Sequence, residues 1–303
     1  VDINTNAKNP VIGLRSLGSD PKLVTKKAGM LIRGMQDGGL MTSIKHFPGH
    51  GDTSTDSHHT LPVVPHSLDR LNQVELYPFK TLIEDGVFSV MVGHLEVPAL
   101  GKVKGRPSSL SSSIVTDLLK KKFGFSGLVV TDALNMKGVS DYSGNESASL
   151  GSFLAGADLL LIPDDLRLAF ADIRNAVLSG TISEERLAYS VKKILSVKYD
   201  SNLHELKTVN PDALQADLQT SEFTALRHQL AEASLTVIRN EDKVLPIQKI
   251  EDSQIAYVSI GEDTGEFFFD RLQHYTSVDQ QTLSEILSTK NNYSHVVVGL
   301  HQP

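Results

Sequence analysis

Short apolar runs alternate with longer amphipathic segments over the first two thirds of the chain. Five runs are apolar at nearly every position, which is typical of strands buried on both faces of a parallel sheet. The predicted strands occupy residues 1–4 (the end of a strand), 41–47, 88–95, 127–134 and 158–162. Amphipathic spacing predicts helices near residues 21–37, 69–84, 111–122, 148–157, 165–179 and 183–198. The alternation of strands with helices predicts repeated β-α units.

Polar side chains follow the predicted strands at their carboxyl ends. Lys45 and His46 end one strand, His94 ends the next and Asp132 ends a third. An eight-stranded β/α barrel places its active site at this end of its strands. A doubly wound sheet would do the same, but no Gly-x-Gly-x-x-Gly turn supports that alternative. We therefore predict an α/β fold in which residues 1–199 form an incomplete (β/α)8 TIM-type barrel, with about five of eight strands.

The last third of the chain has a different pattern. A polar stretch with Pro211 and a helical segment predict a linker and helix over residues 200–230. Residues 231–303 then predict a partial α/β sandwich domain with four more strands and two helices. These strands are expected near residues 234–239, 255–260, 276–278 and 295–300, and the helices near 267–274 and 283–288.

Composition narrows the classes of partner. The 303 residues carry a net charge of −7, from 29 basic and 36 acidic residues. No basic run stands out, which argues against nucleic acid as a partner. No apolar run approaches the length of a membrane span. Cysteine is absent, so neither a disulfide nor thiol chemistry is available.

The loop after the strand at residues 41–47 carries the densest chemistry in the sequence. Four histidines and two aspartates lie within residues 45–59. Asp56 and His58 are two positions apart, so in an extended loop their side chains project to the same side. The carboxylate could then orient the imidazole as a general acid and base. The alternatives are an ordinary polar loop and a metal site. The side chains that could bind such a metal are His46, His50, Asp52, Asp56, His58 and His59.

Other candidate residues stand outside this loop. A carboxylate such as Asp132 at the end of a buried strand requires a partner or a function, although it could instead cap the next turn. Lys45 and His46 should point to opposite faces, one toward the core and one toward the site. Arg15 alone would count as a solvated charge, and His94 is as well explained by a structural role.

Together these residues resemble a known family. The chain resembles the bacterial β-N-acetylglucosaminidases of glycoside hydrolase family 3, in the two-domain form of that family. The matching pieces cover residues 1–199 in the order found in the family. They are Ile12-Gly-Leu-Arg15-Ser, Lys45-His-Phe-Pro-Gly-His-Gly with Asp56-Ser-His58, Met91-Val-Gly-His94, and Thr131-Asp132-Ala-Leu.

The resemblance implies a retaining glycosidase that acts on terminal β-linked GlcNAc, typically in peptidoglycan fragments. Asp132 would be the nucleophile, and His58, oriented by Asp56, would be the acid/base. Three further residues would hold the sugar: Lys45, His46 and Arg15. The resemblance implies a carbohydrate partner, no cofactor and no bound metal, and it favours the bacterial cell envelope over the cytoplasm.

Both ends of the chain look cut, because it starts and stops in strand-like segments. Since the family barrel has eight strands and five are recognised, we expect three strands upstream of Val1. We therefore expect the 303 residues alone to be poorly soluble and nearly inactive, because an open barrel exposes sheet edges. Two alternatives stay open: a non-catalytic sugar-binding module on the same fold, and a metal-dependent hydrolase using the His/Asp loop.

Overall fold

Three parallel strands form the centre of the first part of the chain, in the order β1-β2-β3. They are β1 (Ser43–Phe47), β2 (Ser89–Val92) and β3 (Leu128–Thr131). Ser43 pairs with Ser89, and Ser89 pairs with Leu128, so the strands start at one level. Their carboxyl ends consequently lie at one edge of the sheet, where the predicted site residues follow them.

The computed structural model describes residues 1–142, 144, 146–205, 208, 210–262, 265–289 and 292–301. Two compact units are present, Val1–Thr208 and Val209–Pro303. Residues 206, 207 and 209 of the predicted linker lie outside the described residues. The division at residues 199 and 230 stays a prediction.

Helices surround this sheet in the first unit. They are α1 (Pro21–Asp37), α2 (Leu68–Gln73), α3 (Tyr77–Glu84), a π-helix (Ser113–Lys122), α4 (Lys137–Ser140), α5 (Ala148–Ala155), α6 (Leu166–Leu178) and α7 (Glu184–Asp200). Several begin at a side chain that accepts a backbone N–H of the first turn, which satisfies an otherwise unpaired donor. The residues that cap in this way are Asp20, Ser67, Ser147, Asp165 and Ser183.

The core of the first unit lies between the sheet and these helices. Phe47, Val90 and Val129, one from each strand, have no exposed surface. The rings of Phe47 and Phe79 pack edge to face with centroids 5.2 Å apart. This packing fixes β1 against α3 and so sets the position of the residues that follow Phe47.

Two of the five predicted strands are not strands in the structure. Residues 1–4 lie beside β1, but the Asp2 side chain, rather than a backbone ladder, binds the N–H of His46. Residues 158–162 run along β3 with a single parallel bridge, between Val130 and Leu159. There the carboxylate of Asp158 accepts the Val129 N–H. In both places a carboxylate replaces the backbone partner that would extend the strand.

The helix predicted over residues 69–84 is two helices in the structure, and the break precedes Pro78. Pro78 lies in the first turn of α3, where its missing N–H costs nothing. The break between α2 and α3 contains Glu75, whose buried carboxylate binds Arg70 of α2 at 3.1 Å. The chain turn that buries Glu75 beside Arg70 separates the two helices.

The second unit contains another three-stranded parallel sheet, in the order β5-β4-β6. Its elements are α8 (Leu214–Leu218), α9 (Ser221–Ser234), β4 (Ile255–Gly261), α10 (Glu266–Gln273), β5 (Val278–Gln280), α11 (Leu283–Thr289) and β6 (His295–His301). The strand predicted at residues 234–239 is absent. Leu235 and Ile238 are 79% and 95% exposed, so these apolar residues do not pack in a sheet.

Across the described residues, every helix is too short or too polar to cross a bilayer.

Candidate active site

Asp132 stands immediately after β3, at the carboxyl edge of the sheet. Its backbone N–H donates to the carbonyl of Val92 at 2.8 Å, which ties it to the end of β2. Oδ1 accepts the N–H of Ala133 at 2.9 Å, and Oδ2 lies 3.9 Å from His46 Nε2. The side chain is 18% exposed. One carboxylate oxygen is thus anchored to the chain, while the other faces the site.

His46 is held from the opposite side by Asp2. Nδ1 of His46 donates to Asp2 Oδ2 at 2.8 Å, and both residues are buried. Burial alone would raise the pKa of Asp2, but the hydrogen bond from the His46 ring outweighs it and holds the pKa well below its usual range. The ring of His46 therefore lies between two carboxylates, those of Asp2 and Asp132.

The start of the His/Asp loop is buried and tightly bound. His50 donates its backbone N–H to Asp2 Oδ1 at 2.7 Å, and its ring contacts Thr53 Oγ1 at 2.7 Å and Ser57 Oγ at 3.2 Å. Burial lowers the pKa of His50, which keeps its ring neutral. At Gly51, a Cβ would lie 1.9 Å from the carbonyl oxygen of Ile3, so only glycine fits this close approach.

Asp56 and His58 form a hydrogen-bonded pair at the outer part of the same loop. Asp56 Oδ1 accepts both the Nδ1–H of His58, at 2.7 Å, and its backbone N–H, at 2.9 Å. Although burial opposes it, these bonds lower the pKa of Asp56. The His58 side chain is 61% exposed. Because Asp56 occupies Nδ1, Nε2 is the nitrogen free to exchange a proton with a ligand.

One backbone hydrogen bond joins the loop to the segment after β3. The N–H of Gly138, in α4, donates to the carbonyl of Ser57 at 3.1 Å. Ser57 lies between Asp56 and His58, and Gly138 lies six residues after Asp132. The structure therefore connects the pair to the segment that carries the strand-end carboxylate.

The remaining predicted sugar-binding residues lie outside this cluster of contacts. Lys45 is exposed in the middle of β1, and His46 next to it is buried. Arg15 is exposed, and its Nη1 donates to the carbonyl of Val11 at 3.3 Å within its own loop. Asn9 links that loop to the site, because its Nδ2 donates to the carbonyl of His50 at 2.9 Å.

His94 supports the turn that carries Asp132. It is fully buried, and its Nε2 donates to the carbonyl of Ala133 at 3.0 Å. Ser109 Oγ lies 2.7 Å from Nδ1. Burial lowers the pKa of His94, so a neutral ring that donates from Nε2 and accepts at Nδ1 satisfies both contacts.

The structure does not assemble the six side chains proposed from sequence as metal ligands. Among the described residues, only Asp52, His66 and Glu75 gather three potential ligands within one site. Arg70 reaches this group, with Nη2 3.4 Å from Asp52 Oδ2 and 3.1 Å from Glu75 Oε1. Its guanidinium supplies the positive charge that a cation would bring.

Sequence reasoning missed Asp2, because no motif contains it. The available signal was a carboxylate between the apolar residues Val1 and Ile3 of a strand-like segment, since such a group requires a partner once it is buried. It missed His66 and Arg70 as well, which both contact Asp52 of the loop, and Glu75, which contacts Arg70. None of these contacts follows a regular sequence spacing.

Comparison with known proteins gives the class. Residues 1–197 match the glycosyl hydrolase family 3 N terminal domain. The chain belongs to this family, whose N-terminal domain is a TIM-type α/β fold.

Individual relatives narrow the class further. The chain is 32% identical to "Beta-hexosaminidase A" of Pseudoalteromonas piscicida over 94% of its own length and 50% of that protein. It thus spans about half the length of this relative. A solved family 3 β-N-acetylglucosaminidase from Paenibacillus sp. FPU-7 superimposes with a TM-score of 0.79 at 33% identity, covering 98% of this chain and 60% of that one. The β-glucoside phosphorylase BglX superimposes with a TM-score of 0.83 at 26% identity, covering 99% and 59%.

Proposed function

We propose that this protein is a retaining exo-β-N-acetylglucosaminidase that removes terminal β-linked GlcNAc, with peptidoglycan fragments as its natural substrate. The observation that carries the proposal is the 2.7 Å contact between Asp56 and His58, on the loop motif of a family 3 chain. The similarity to β-hexosaminidases and to a β-N-acetylglucosaminidase supports GlcNAc as the sugar that is removed. We further propose that the barrel is completed by strands outside these 303 residues, and that residues 231–303 belong to an α/β sandwich domain.

In the first step, the carboxylate of Asp132 attacks the anomeric carbon and forms a covalent glycosyl ester. The glycosidic C–O bond breaks, and His58 Nε2 gives its proton to the leaving oxygen. Asp56 accepts the Nδ1–H throughout, which orients the ring and stabilises its charged form. Most retaining glycosidases use a second carboxylic acid in this role.

In the second step, water attacks the anomeric carbon of the ester. His58 Nε2 accepts a proton from that water, and the bond to Asp132 breaks to restore the carboxylate. Two inversions at one carbon give net retention. Three residues are proposed to hold the sugar hydroxyls and the N-acetyl group through charge-assisted hydrogen bonds: Lys45, His46 and Arg15.

A second candidate function is phosphorolysis, which the similarity to the β-glucoside phosphorylase BglX favours. In this reaction an oxygen of inorganic phosphate, rather than water, attacks the glycosyl ester and yields GlcNAc 1-phosphate. A histidine at the acid/base position does not repel the phosphate anion as a carboxylate would. The two reactions share the first step and differ in the product.

The nucleophile is tested on the full-length protein by trapping the ester with a fluoro-sugar inactivator and mapping the labelled peptide. We expect the label on Asp132, and we expect Asp132→Ala to lose on the order of 10⁴- to 10⁶-fold in activity on a p-nitrophenyl-GlcNAc substrate. Label on another residue, or full activity in the variant, would contradict the assignment.

The same assay separates the competing functions. Activity that survives EDTA argues against a metal-dependent hydrolase, and sugar phosphate formed only with added phosphate would establish phosphorolysis. A full-length protein that binds GlcNAc without turnover in either buffer would be the non-catalytic module.

A further inference from the structure

Asp2 is a buried residue whose carboxylate binds two residues of the candidate active site, His46 and His50. It is 5% exposed. Its oxygens accept three N–H groups: the backbone N–H of His46 at 3.2 Å, the ring Nδ1–H of His46 at 2.8 Å, and the backbone N–H of His50 at 2.7 Å. A carboxylate that accepts several N–H bonds is stabilised in its charged form, in agreement with the lowered pKa of Asp2.

These contacts define which nitrogen of His46 carries a proton. An ionised carboxylate is only an acceptor, so Nδ1 of His46 must donate. The backbone bond from the same residue fixes the main chain beside the ring, which prevents the ring from turning away. Nε2 is consequently directed toward Asp132 Oδ2, 3.9 Å away.

We propose that Asp2 is a positioning residue that fixes the protonated Nδ1 and the orientation of His46, so that Nε2 faces the reacting carboxylate Asp132 and the sugar bound there. That Asp2 orients His46 is inferred from the contacts alone. The effect of this orientation on turnover rests on the proposed function, in which Asp132 is the nucleophile. Orienting partners of this kind are worth about 10- to 100-fold in the activity of the groups they hold.

The substitution Asp2→Asn changes the chemistry with little change in shape. Its amide oxygen still accepts the N–H of His50, but its NH₂ group donates to Nδ1 of His46 instead of accepting from it. The proton on the ring should therefore move to Nε2. Asp2→Glu keeps an acceptor and should restore the protonated Nδ1.

The test is ¹⁵N NMR of the imidazole nitrogens in the full-length protein, which includes the strands proposed to complete the barrel. The His46 signals are assigned by their loss in His46→Gln. We expect Nδ1 in the range of a protonated nitrogen in the wild type and in Asp2→Glu, and in the range of an unprotonated nitrogen in Asp2→Asn. An unprotonated Nδ1 in the wild type overturns the proposal even if every variant fails to fold.

A matched control is Asp52→Asn. Asp52 is another loop carboxylate that binds a histidine at 2.7 Å, in this case His66 Nε2. This change should shift the His66 signals and leave those of His46 in place. If Asp52→Asn shifted the His46 signals as much as Asp2→Asn does, the shift would come from a general loosening of the loop. Asp2 would then not be the residue that determines the tautomer of His46.

Kinetics form the second arm. With p-nitrophenyl-GlcNAc, we expect Asp2→Asn to lower kcat about 10- to 100-fold with KM little changed, and Asp2→Glu to recover part of the loss. Wild-type kcat in Asp2→Asn would refute the positioning role. If the full-length wild type has no glycosidase activity, the proposed function fails, and the NMR arm still decides whether Asp2 fixes His46.

Discussion

At the residue scale, His58 is an exposed side chain with one of its two nitrogens already bound. If it is the acid/base, its proton matters most when the leaving group is poor. We expect His58→Ala to lose about 10²- to 10⁴-fold on alkyl or sugar leaving groups, and far less on activated aryl glycosides. Parallel measurements of kcat/KM on GlcNAc disaccharides and on nitrophenyl GlcNAc check this.

The neighbouring residue provides the control for this prediction. His59 is also exposed, and the proposed mechanism gives it no role, so His59→Ala should act on both substrates like the wild type. Equal losses on the two substrates in His58→Ala would assign His58 to binding rather than to proton transfer.

Distance along the chain decides which residue contacts the sequence could predict. Asp56 and His58 are two positions apart, and their contact is local. It forms in a turn, in which the N–H groups of His59 and Thr60 donate to the carbonyl of Asp56, and not in the extended loop that the sequence predicted. Asp2 and His46 are 44 positions apart, and nothing local to either residue indicates the other. The contact of His46 with Asp132 likewise depends on the order of strands in the sheet, which periodicity alone does not specify.

At the scale of elements, the contact between α4 and the loop leaves no room for a side chain. A Cβ at Gly138 would lie 2.9 Å from the carbonyl oxygen of Ser57 and 3.1 Å from that of Thr60. We expect Gly138→Ala to destabilise the first unit by about 1–3 kcal/mol because backbone must move. It should also lower kcat/KM by displacing the loop that carries His58, measured by urea unfolding and steady-state assay.

Gly34 in α1 is the matched site, because nothing lies within 4 Å of its added Cβ. There the same substitution should stabilise the protein by about 0.5–1 kcal/mol, since alanine favours helix. If both substitutions changed the free energy of unfolding in the same direction, intrinsic helix preference, rather than the contact with the loop, would determine the effect of Gly138→Ala.

Elements with long apolar runs were the ones that sequence predicted well. β1, β2 and β3 lie within the runs predicted for them, because their inward-facing residues, such as Phe47, Val90 and Val129, are apolar and fully buried. The burial on both faces that the pattern predicted is wrong for β1, where Ser43 and Lys45 are exposed. The run at residues 234–239 has the same pattern but no neighbouring strand in the structure. An apolar run shows that a segment suits a sheet, and only the fold decides whether a sheet is beside it.

At the scale of the whole first unit, Asp158 links β3 to α7 without any exposure to solvent. Its side chain contacts Lys193 at 2.9 Å and Ser190 at 2.6 Å, and accepts the Val129 N–H at 3.1 Å. Removing one partner of a buried ion pair leaves the other charges uncompensated. We expect Asp158→Ala to lower the free energy of unfolding by about 3–5 kcal/mol, measured by urea unfolding at pH 7.

Asp117 offers the exposed counterpart, with a 2.9 Å contact to Lys121 one helical turn away. Asp117→Ala should leave the free energy of unfolding nearly unchanged, because an exposed ion pair contributes little. The hydrogen bond from Ser190 and the nearby lysines outweigh burial and lower the pKa of Asp158 in the folded state. Its contribution is therefore complete above the ordinary aspartate pKa of about 4 and is lost as pH falls below it. The gap between wild type and Asp158→Ala should narrow in acid, and a gap constant from pH 7 to pH 3 would contradict the assignment.

The bond from the His50 N–H to the buried Asp2 carboxylate also has a kinetic meaning. That hydrogen lies in a loop, yet it can exchange with deuterium only when the loop separates from Asp2. Exposed residues such as Thr55, a few positions further on, have no such barrier of burial. The loop is therefore divided into a root, the buried part at His50, whose N–H exchanges slowly, and a tip, the exposed part near Thr55, whose N–H groups exchange rapidly. The exchange rate at His50 measures how often the root opens, independently of the motion of the segment that carries His58.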